Sequence, residues 1–278
     1  MFKKITCENC GKRFDEIDQN CPACDEPNPN VPQRRRFGNK GLYVPFWMQI
    51  TLFFVGWLGL QVLAIIFQLI AQLAGFEDVV RSAFVMFGAY TTLGVTLLAI
   101  SCTQIKKYLK AFKNWLVPIA GVIGLFAILA FNLTYNTILS ILKIGVSDNA
   151  NEQSVNSYIT AYPVLSIIVI GLIGPLCEEI TYRVGFYGFF RRINKYLAFA
   201  LTMVVFAFIH FDFEAFASGG DVLINELLNL PFYLAAAFVF TFLFEKVGFG
   251  ASFAAHASNN LLSVLSTLAL GQCVIPLL

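Results

Sequence analysis

Long apolar segments dominate the chain after residue 46 and restrict the folds that it can adopt. A bilayer is crossed only by α-helices and closed barrels, because each backbone polar group must be paired inside the protein. A helix needs about 20 apolar residues to cross. The sequence therefore predicts an all-α fold: a polytopic membrane helical bundle of about seven to eight transmembrane helices, the eighth being a short segment near 213–230. The seven long segments cover roughly residues 47–74, 82–102, 116–142, 160–190, 196–216, 231–245 and 249–270.

Composition and charge placement agree with a membrane location. The chain is 58% hydrophobic and 13% charged, whereas soluble domains are about half apolar and a quarter charged. Cytoplasmic loops carry an excess of Lys and Arg. With the N-terminus inside, the outer loops hold only Arg81 and Lys143, and the basic clusters fall in the inner loops. We therefore expect an integral, multi-pass protein of the cell membrane with a cytoplasmic N-terminus, in contact with membrane lipid and with no nucleic acid partner.

Four cysteines near the N-terminus form two C-x-x-C pairs, "CENC" and "CPAC". Paired knuckles of this kind suit tetrahedral thiolate coordination of Zn²⁺, so residues 1–30 are predicted to form a zinc ribbon whose structural metal supplies folding energy. Disulfides are the alternative in an oxidising compartment. Residues 31–46 form a basic, Pro-rich linker and residues 47–278 the transmembrane domain. A cytosolic partner is expected for the ribbon. The predicted zinc ligands are Cys7, Cys10, Cys21 and Cys24.

Three charged residues lie inside one apolar segment: Glu178, Glu179 and Arg183. A charge at the centre of a membrane helix costs about 2.5–3.5 kcal/mol on insertion scales and usually marks function. Glu179 and Arg183 are four residues apart with the acid first, which favours an ion pair on one helix face. Glu178 points about 100° away from that face. We expect Glu178 to face a polar cavity.

The chain has two histidines, and both lie in apolar segments. His210 ends "FAFIH", and His256 opens "HASNN", in which Asn260 follows one turn later. Glu178, His210 and His256 each lie 10–15 residues from the nearest inner basic residue. At 1.5 Å per residue they are roughly 15–22 Å deep, near the middle of a roughly 30 Å core. Three segments therefore bring polar groups to one level, although helix–helix hydrogen bonding is the structural alternative for each.

Three short motifs carry a resemblance to a known family. In chain order, "EEITYR" fits EExxxR, "FAFIH" fits FxxxH and "HASNN" fits HxxxN. This ordered set resembles the CPBP family of intramembrane proteases (CAAX prenyl endopeptidase or Abi, bacteriocin-processing). The resemblance covers about Ile159 to Leu270 and leaves the zinc ribbon outside. The family often shows EExxFRG, whereas here Tyr182 precedes Arg183 and Gly185 comes one place later.

The resemblance assigns a role to each motif. It implies that Glu178 activates a water molecule together with His210, that the HxxxN pair stabilises an oxyanion, and that the Glu–Arg pair supports the site. The residues to which it assigns these roles are Glu178, Glu179, Arg183, His210, His256 and Asn260.

The predicted function is that of an intramembrane endopeptidase. It is CAAX protease-like and hydrolyses peptide bonds of membrane-associated, prenylated or propeptide substrates by water activated at a glutamate and a histidine. Two histidines and a carboxylate would also suit a catalytic divalent metal, as in a metalloendopeptidase, although no HExxH motif is present. The rival classes are a non-proteolytic membrane immunity or scaffolding protein of the same fold, and a transporter. Hydropathy shows no internal repeat of the transporter kind.

Overall fold

The computed structural model describes residues 3–8, 11–18, 20–23, 28–30, 44–113 and 115–273. A two-stranded antiparallel sheet precedes a bundle of helices. The strands are β1 (Lys4–Thr6) and β2 (Arg13–Asp15). The helices are α1 (Phe46–Leu73), α2 (Asp78–Ile100), α3 (Ile105–Ala111), α4 (Leu116–Ile141), α5 (Ala150–Ala161), α6 (Pro163–Arg191), α7 (Lys195–Phe208), α8 (Ala215–Ser218), α9 (Gly220–Lys246) and α10 (Phe249–Cys273), with a 3₁₀ turn at Cys102–Gln104.

The bundle confirms the predicted all-α, polytopic membrane fold. Among the described residues, five helices are long and apolar enough to cross a bilayer: α1, α2, α4, α6 and α9. Helix α7 is apolar but has only 14 residues. Helix α10 has 25 residues, but its serines and asparagines together with His256 lower its hydropathy. Large apolar side chains cover the outside of the bundle, among them Phe126 and Ile141, as expected for a surface that contacts lipid.

One predicted boundary is wrong. A separate span was expected at 231–245 with a short segment near 213–230, but α9 runs from Gly220 to Lys246 with Pro231 in its interior. Proline removes one backbone donor and usually interrupts a helix. Membrane helices tolerate it where neighbouring groups bond the freed carbonyls. Pro231 leaves the Leu227 carbonyl without its N–H donor, and the Tyr135 hydroxyl donates to the adjacent Leu228 carbonyl at 3.0 Å.

Helix α6 has irregular turns on both sides of its acidic pair. Its segments Val169–Ile173 and Glu179–Tyr187 are π-helical, and Gly174–Glu178 between them is α-helical. Pro175 lies in this middle segment and cannot donate a backbone hydrogen bond. Wide turns of this kind frequently occur at functional sites. The sequence gives no periodic signal for them.

Glycines allow α1 to pack directly against α6. A Cβ added to Gly185 would lie 2.9 Å from the backbone nitrogen of Phe53 and 3.1 Å from the carbonyl oxygen of Gln49. A Cβ on Gly56 would collide with the side chain of Thr181. Such close approach is possible only without a side chain. It fixes α6 against α1 in the two turns that follow the acidic pair.

The N-terminal hairpin lies at the same end of the bundle as Arg192 and Lys107. Arg192 contacts the Asp15 carboxylate at 3.5 Å, and Lys107 Nζ donates to the Pro22 carbonyl at 3.3 Å. Burial raises the pKa of Asp18, and the positive charge of Arg192 opposes this shift. The hairpin is therefore docked on the helix end next to α6 rather than separated from the bundle.

The described part of the predicted ribbon brings two of its four cysteines together. Cys7 follows β1, and its carbonyl accepts from Gly11 N–H at 2.9 Å, which closes a tight turn. Cys7 and Cys21 are buried in one cluster with Phe14. Cys10 and Cys24, like residues 31–43 of the predicted linker, lie outside the described residues. The zinc site and the domain boundaries stay predictions.

Candidate functional site

Glu179 is the centre of a buried polar network that joins α6 to α10. Its carboxylate is fully buried. One oxygen, Oε1, lies 3.3 Å from Arg183 on the same helix and accepts from Nδ1–H of His256 at 2.9 Å. The other oxygen, Oε2, accepts from the Ser252 hydroxyl. The predicted pair of Glu179 with Arg183 is therefore present, and two groups of α10 complete the coordination of the carboxylate.

Aromatic rings surround the buried guanidinium of Arg183. The Phe206 ring lies 4.2 Å from the guanidinium carbon, and the Phe240 ring lies 5.4 Å away. Each face of an aromatic ring carries partial negative charge, so it attracts a desolvated cation. The phenylalanine of the FxxxH motif thus stabilises the arginine of the EExxxR motif. An uncompensated ion at this depth would cost several kcal/mol.

Glu178 has different surroundings from its neighbour. Its side chain is 16% exposed, and Oε2 lies 3.6 Å from Nε2 of His256. No described group donates a hydrogen bond to Oε2, although that atom is buried. Glu178 lines a cavity of about 100 Å³ in the bundle. The expectation that Glu178 faces a cavity while Glu179 is paired agrees with this geometry.

The cavity collects polar groups from several helices. Glu178 and Thr181 come from α6, His210 follows α7, Tyr90 comes from α2, and Asn151 comes from α5. The rest of the lining is Gly56, Trp57, Leu60, Gln61, Leu93, Cys177, Tyr182 and Ile209. A volume of this size holds several water molecules. The cavity therefore offers room for water next to a carboxylate and an imidazole, with a lining that is about half polar.

His210 is held with one ring nitrogen available. Its Nδ1 lies 2.8 Å from the Phe206 carbonyl, and a carbonyl can only accept, so Nδ1 carries the proton. In the neutral ring, Nε2 therefore has the lone pair. Tyr233 of α9 stacks on the ring at 4.5 Å between centroids and 14° between planes. This arrangement suits an imidazole that takes up a proton at Nε2.

His256 lies between the two carboxylates. Nδ1 donates to Glu179, and Nε2 faces Glu178. Its ring stacks on Phe240 at 4.3 Å and meets Phe206 at 5.8 Å. The ring is thus held by Phe240 on one face and by Glu179 at Nδ1, and it lies between the buried ion pair and the carboxylate at the cavity.

Asn260 contacts the backbone of α6. Its Nδ2 donates to the Ile170 carbonyl at 3.1 Å, and Ile170 lies five residues before Pro175, in the π-helical turn. A residue with an N–H at position 175 could bond this carbonyl in π-helical spacing. The amide of Asn260 supplies a donor instead. Neither His256 nor Asn260 is among the residues that line the cavity. Their predicted oxyanion role stays a prediction.

Sequence reasoning missed several contacts of this site. Ser252 is four residues before His256, so the i, i+4 pattern that paired His256 with Asn260 could also have included it. Phe240, Tyr233 and Asn151 reach the site from other helices. No periodic pattern singles them out in the sequence.

The sequence allowed a divalent metal at Glu178, His210 and His256. Among the described side chains, no group of three or more His, Cys, Asp or Glu residues could hold a metal ion. A catalytic divalent metal at Glu178, His210 and His256 stays a prediction of the sequence.

The motifs and their geometry agree with a comparison against protein families. Residues 160–262 match the Rce1-like family, type II CAAX prenyl endopeptidase Rce1-like. The matched segment contains both carboxylates, Arg183, both histidines and Asn260. It covers α6, α7 and α9 with part of α10 and ends short of the helix terminus. The match supports a CAAX protease-like, integral membrane protein.

Individual relatives are similar over part of the chain. An uncharacterized protein of Mycoplasma capricolum is 30% identical over 178 residues, 60% of this chain and 48% of the relative. The UPF0177 protein YxdF of Lactococcus lactis is 26% identical over 61% of this chain and 89% of the relative. A Bacillus subtilis protein named "Putative membrane peptidase YdiL" is 30% identical over 36% of this chain and 35% of the relative. The chain spans about half of the Mycoplasma protein. No solved structure matches.

Proposed function

We propose that this protein is an intramembrane endopeptidase that hydrolyses peptide bonds of membrane-associated, prenylated or propeptide substrates. The observation that carries the proposal is the convergence of Glu178 and His210 on one cavity, with His256 3.6 Å behind the Glu178 carboxylate. These groups come from three helical segments. A carboxylate with an oxygen that lacks a donor, next to an imidazole with a lone pair at Nε2, is suited to general base catalysis.

The proposed reaction is hydrolysis by activated water. Glu178 accepts a proton from a water molecule with His210 as its partner, and the water oxygen bonds to the scissile carbonyl carbon while the carbonyl electron pair moves to oxygen. The carbon–nitrogen bond then breaks as the carbonyl reforms. The proton held by Glu178 or His210 passes to the leaving amine. His256 supports the step by holding the position of Glu178, because Glu179 fixes its Nδ1.

The test is a cleavage assay with full-length protein in detergent. Its substrates are an internally quenched farnesylated peptide and the same peptide without the lipid. Glu178→Gln keeps the side-chain shape and removes the base, so turnover should fall about 10²–10⁴-fold. Glu214→Gln is the matched control, because Glu214 is exposed in the loop after His210. Wild-type turnover in Glu178→Gln would refute the role of Glu178. Binding of the peptides without cleavage by the wild type would favour the non-proteolytic alternative.

The N-terminus is proposed to be cytoplasmic. The support is the excess of Lys and Arg at the helix ends near the docked hairpin, including Lys107 and Arg192. A reporter enzyme that works only in the cytoplasm should be active when it is fused before residue 1. The same reporter in the loop at Ser147, between α4 and α5, is the control and should give the opposite signal. Reversed signals would refute the orientation.

Residues 1–30 are proposed to bind structural zinc. The burial of Cys7 beside Cys21 after a tight turn supports this, since paired turns present thiolates to Zn²⁺. The purified wild type should contain one zinc per chain by mass spectrometry, and Cys7→Ser should lose it. Cys102→Ser is the matched control, because Cys102 is an exposed cysteine outside the ribbon. Equal zinc content in the wild type and Cys7→Ser would refute the site.

A further inference from the structure

Asn151 lies in the first turn of α5, outside the three motifs, and its side chain lines the same cavity as Glu178 and His210. The other carboxamide in the lining, Gln61 of α1, is exposed. Asn260, the asparagine of the third motif, donates to the Ile170 carbonyl and is not in the lining. Asn151 is therefore the half-buried amide in the cavity lining that also contains the Glu178 carboxylate.

A chain of hydrogen bonds holds Asn151 in position relative to His210. The Tyr233 hydroxyl donates to Oδ1 of Asn149 and accepts from Nδ2 of Asn151, each at 3.3 Å. Nδ2 of Asn149 donates to the His210 carbonyl at 3.2 Å. The Tyr233 ring also stacks on the His210 imidazole. One tyrosine thus fixes the histidine ring by its face and the Asn151 amide by its hydroxyl.

This chain of donors also sets the direction of the Asn151 amide. Asn149 Oδ1 can only accept, so the single proton of the Tyr233 hydroxyl goes there. The hydroxyl oxygen then accepts an N–H from Asn151, so Nδ2 rather than Oδ1 of Asn151 lies next to Tyr233. Nδ2 has two N–H groups. Tyr233 takes one of them, and the other can donate to a ligand in the cavity.

We propose that Asn151 donates a hydrogen bond to the carbonyl oxygen of the scissile peptide bond and stabilises the oxyanion; this rests on the proposed endopeptidase function. As water adds to the carbonyl carbon, negative charge develops on that oxygen, and a fixed N–H donor is most effective at this stage. No proton moves from Asn151. When the carbon–nitrogen bond breaks, the carbonyl reforms and the hydrogen bond weakens. Tyr233 is a positioning residue in this arrangement.

The experiment measures kcat and KM of Asn151→Ala in the peptide assay with the full-length protein. Loss of one oxyanion donor costs about 10²–10³-fold in kcat, with KM changed less than threefold. Tyr233→Phe keeps the ring on His210 and removes the hydroxyl that accepts from Asn151 and donates to Asn149. The kcat should then fall about tenfold, the equivalent of one net hydrogen bond. Gln153→Ala is the matched control, because Gln153 is exposed on the same helix and does not line the cavity.

The outcomes separate this inference from the proposed function. Suppose that the wild type cleaves the peptide, that Glu178→Gln does not, and that Asn151→Ala has the kcat of the wild type. This result would overturn the role of Asn151 and leave the proposed function intact. A lower melting temperature for Asn151→Ala with unchanged kcat would show a structural role and would also overturn it. If Asn151→Ala does not fold, the kcat of Tyr233→Phe decides, and an unchanged value refutes the proposal. A phosphinate analogue of the tetrahedral intermediate should lose affinity in Asn151→Ala in parallel with kcat.

Discussion

The middle and the end of α6 both carry ion pairs, but their surroundings differ. In the middle, Glu179 and Arg183 are fully buried. At the end, Arg191 pairs with Glu245 of α9 at 3.1 Å while 28% of its side chain is exposed, and Lys195 lies 3.8 Å from the same carboxylate. A charge at the end can be hydrated or can change partner, whereas a charge in the middle cannot. The charged groups in the middle of α6 therefore keep one set of partners, whereas those at its end can exchange partners.

The largest effect is expected for Arg183→Met. This change leaves Glu179 buried without its counter-charge, which typically costs 3–5 kcal/mol. It should be measured as the free energy of unfolding in mixed detergent micelles. The double variant Glu179→Gln, Arg183→Met is the control, because the amide oxygen still accepts from His256 and the amide NH2 can donate to the Ser252 hydroxyl. It should recover more than half of the loss. An unfolding free energy of Arg183→Met within about 1 kcal/mol of the wild type would contradict the contrast between the middle and the end of α6.

A smaller effect is expected for Glu245→Gln at the end of α6. The amide still accepts from the Tyr187 hydroxyl, which lies 2.8 Å from Glu245 Oε2 in the wild type, and Arg191 becomes hydrated. The loss should be about 1 kcal/mol, near the upper value for partly exposed pairs. Added salt at 1 M should reduce this difference, because salt screens exposed charges far more than buried ones. The difference in unfolding free energy between Arg183→Met and the wild type should not change with salt. Equal salt dependence of the two variants would contradict the contrast between the ion pairs in the middle and at the end of α6.

The smallest effect on the bundle is expected for Arg192→Ala. Arg192 donates to Gln49 Oε1 at 2.7 Å and to the Val44 carbonyl at 3.1 Å, besides its contact with Asp15. Its loss should change the unfolding free energy of the bundle by less than about 1 kcal/mol but should make the N-terminal hairpin more sensitive to limited proteolysis. Arg191→Ala is the matched control, because Arg191 pairs with Glu245 instead. Equal proteolysis of the two variants would show that Arg192 does not hold the hairpin.

Hydropathy and helical spacing predicted the features that form within one segment. The span expected at 160–190 is α6, Pro163–Arg191, because a run of apolar residues must be helical in lipid. The pair of Glu179 with Arg183 followed from their spacing of four residues. The same spacing could also have identified Ser252. The helix start expected at residue 231 is wrong, because α9 continues through Pro231.

Contacts between distant segments could not be predicted in this way. His256 and Glu179 are 77 residues apart in sequence, and Asn151 and Tyr233 are 82 apart. Helix packing sets these distances, and close approach of α1 to α6 at Gly185 is part of that packing. The π-helical turns of α6 also depend on it, since Asn260 bonds the Ile170 carbonyl near Pro175.

The sequence by itself determined the membrane bundle, the pairing of Glu179 with Arg183 and the different direction of Glu178. These follow from the cost of burying charge and from the helical period, which act on each segment alone. Only the tertiary structure decided that His256 joins the two carboxylates and that Asn151, rather than Asn260, faces the cavity. The reason is that a side chain reaches only a few ångströms, so the packing of separate helices selects which polar groups meet.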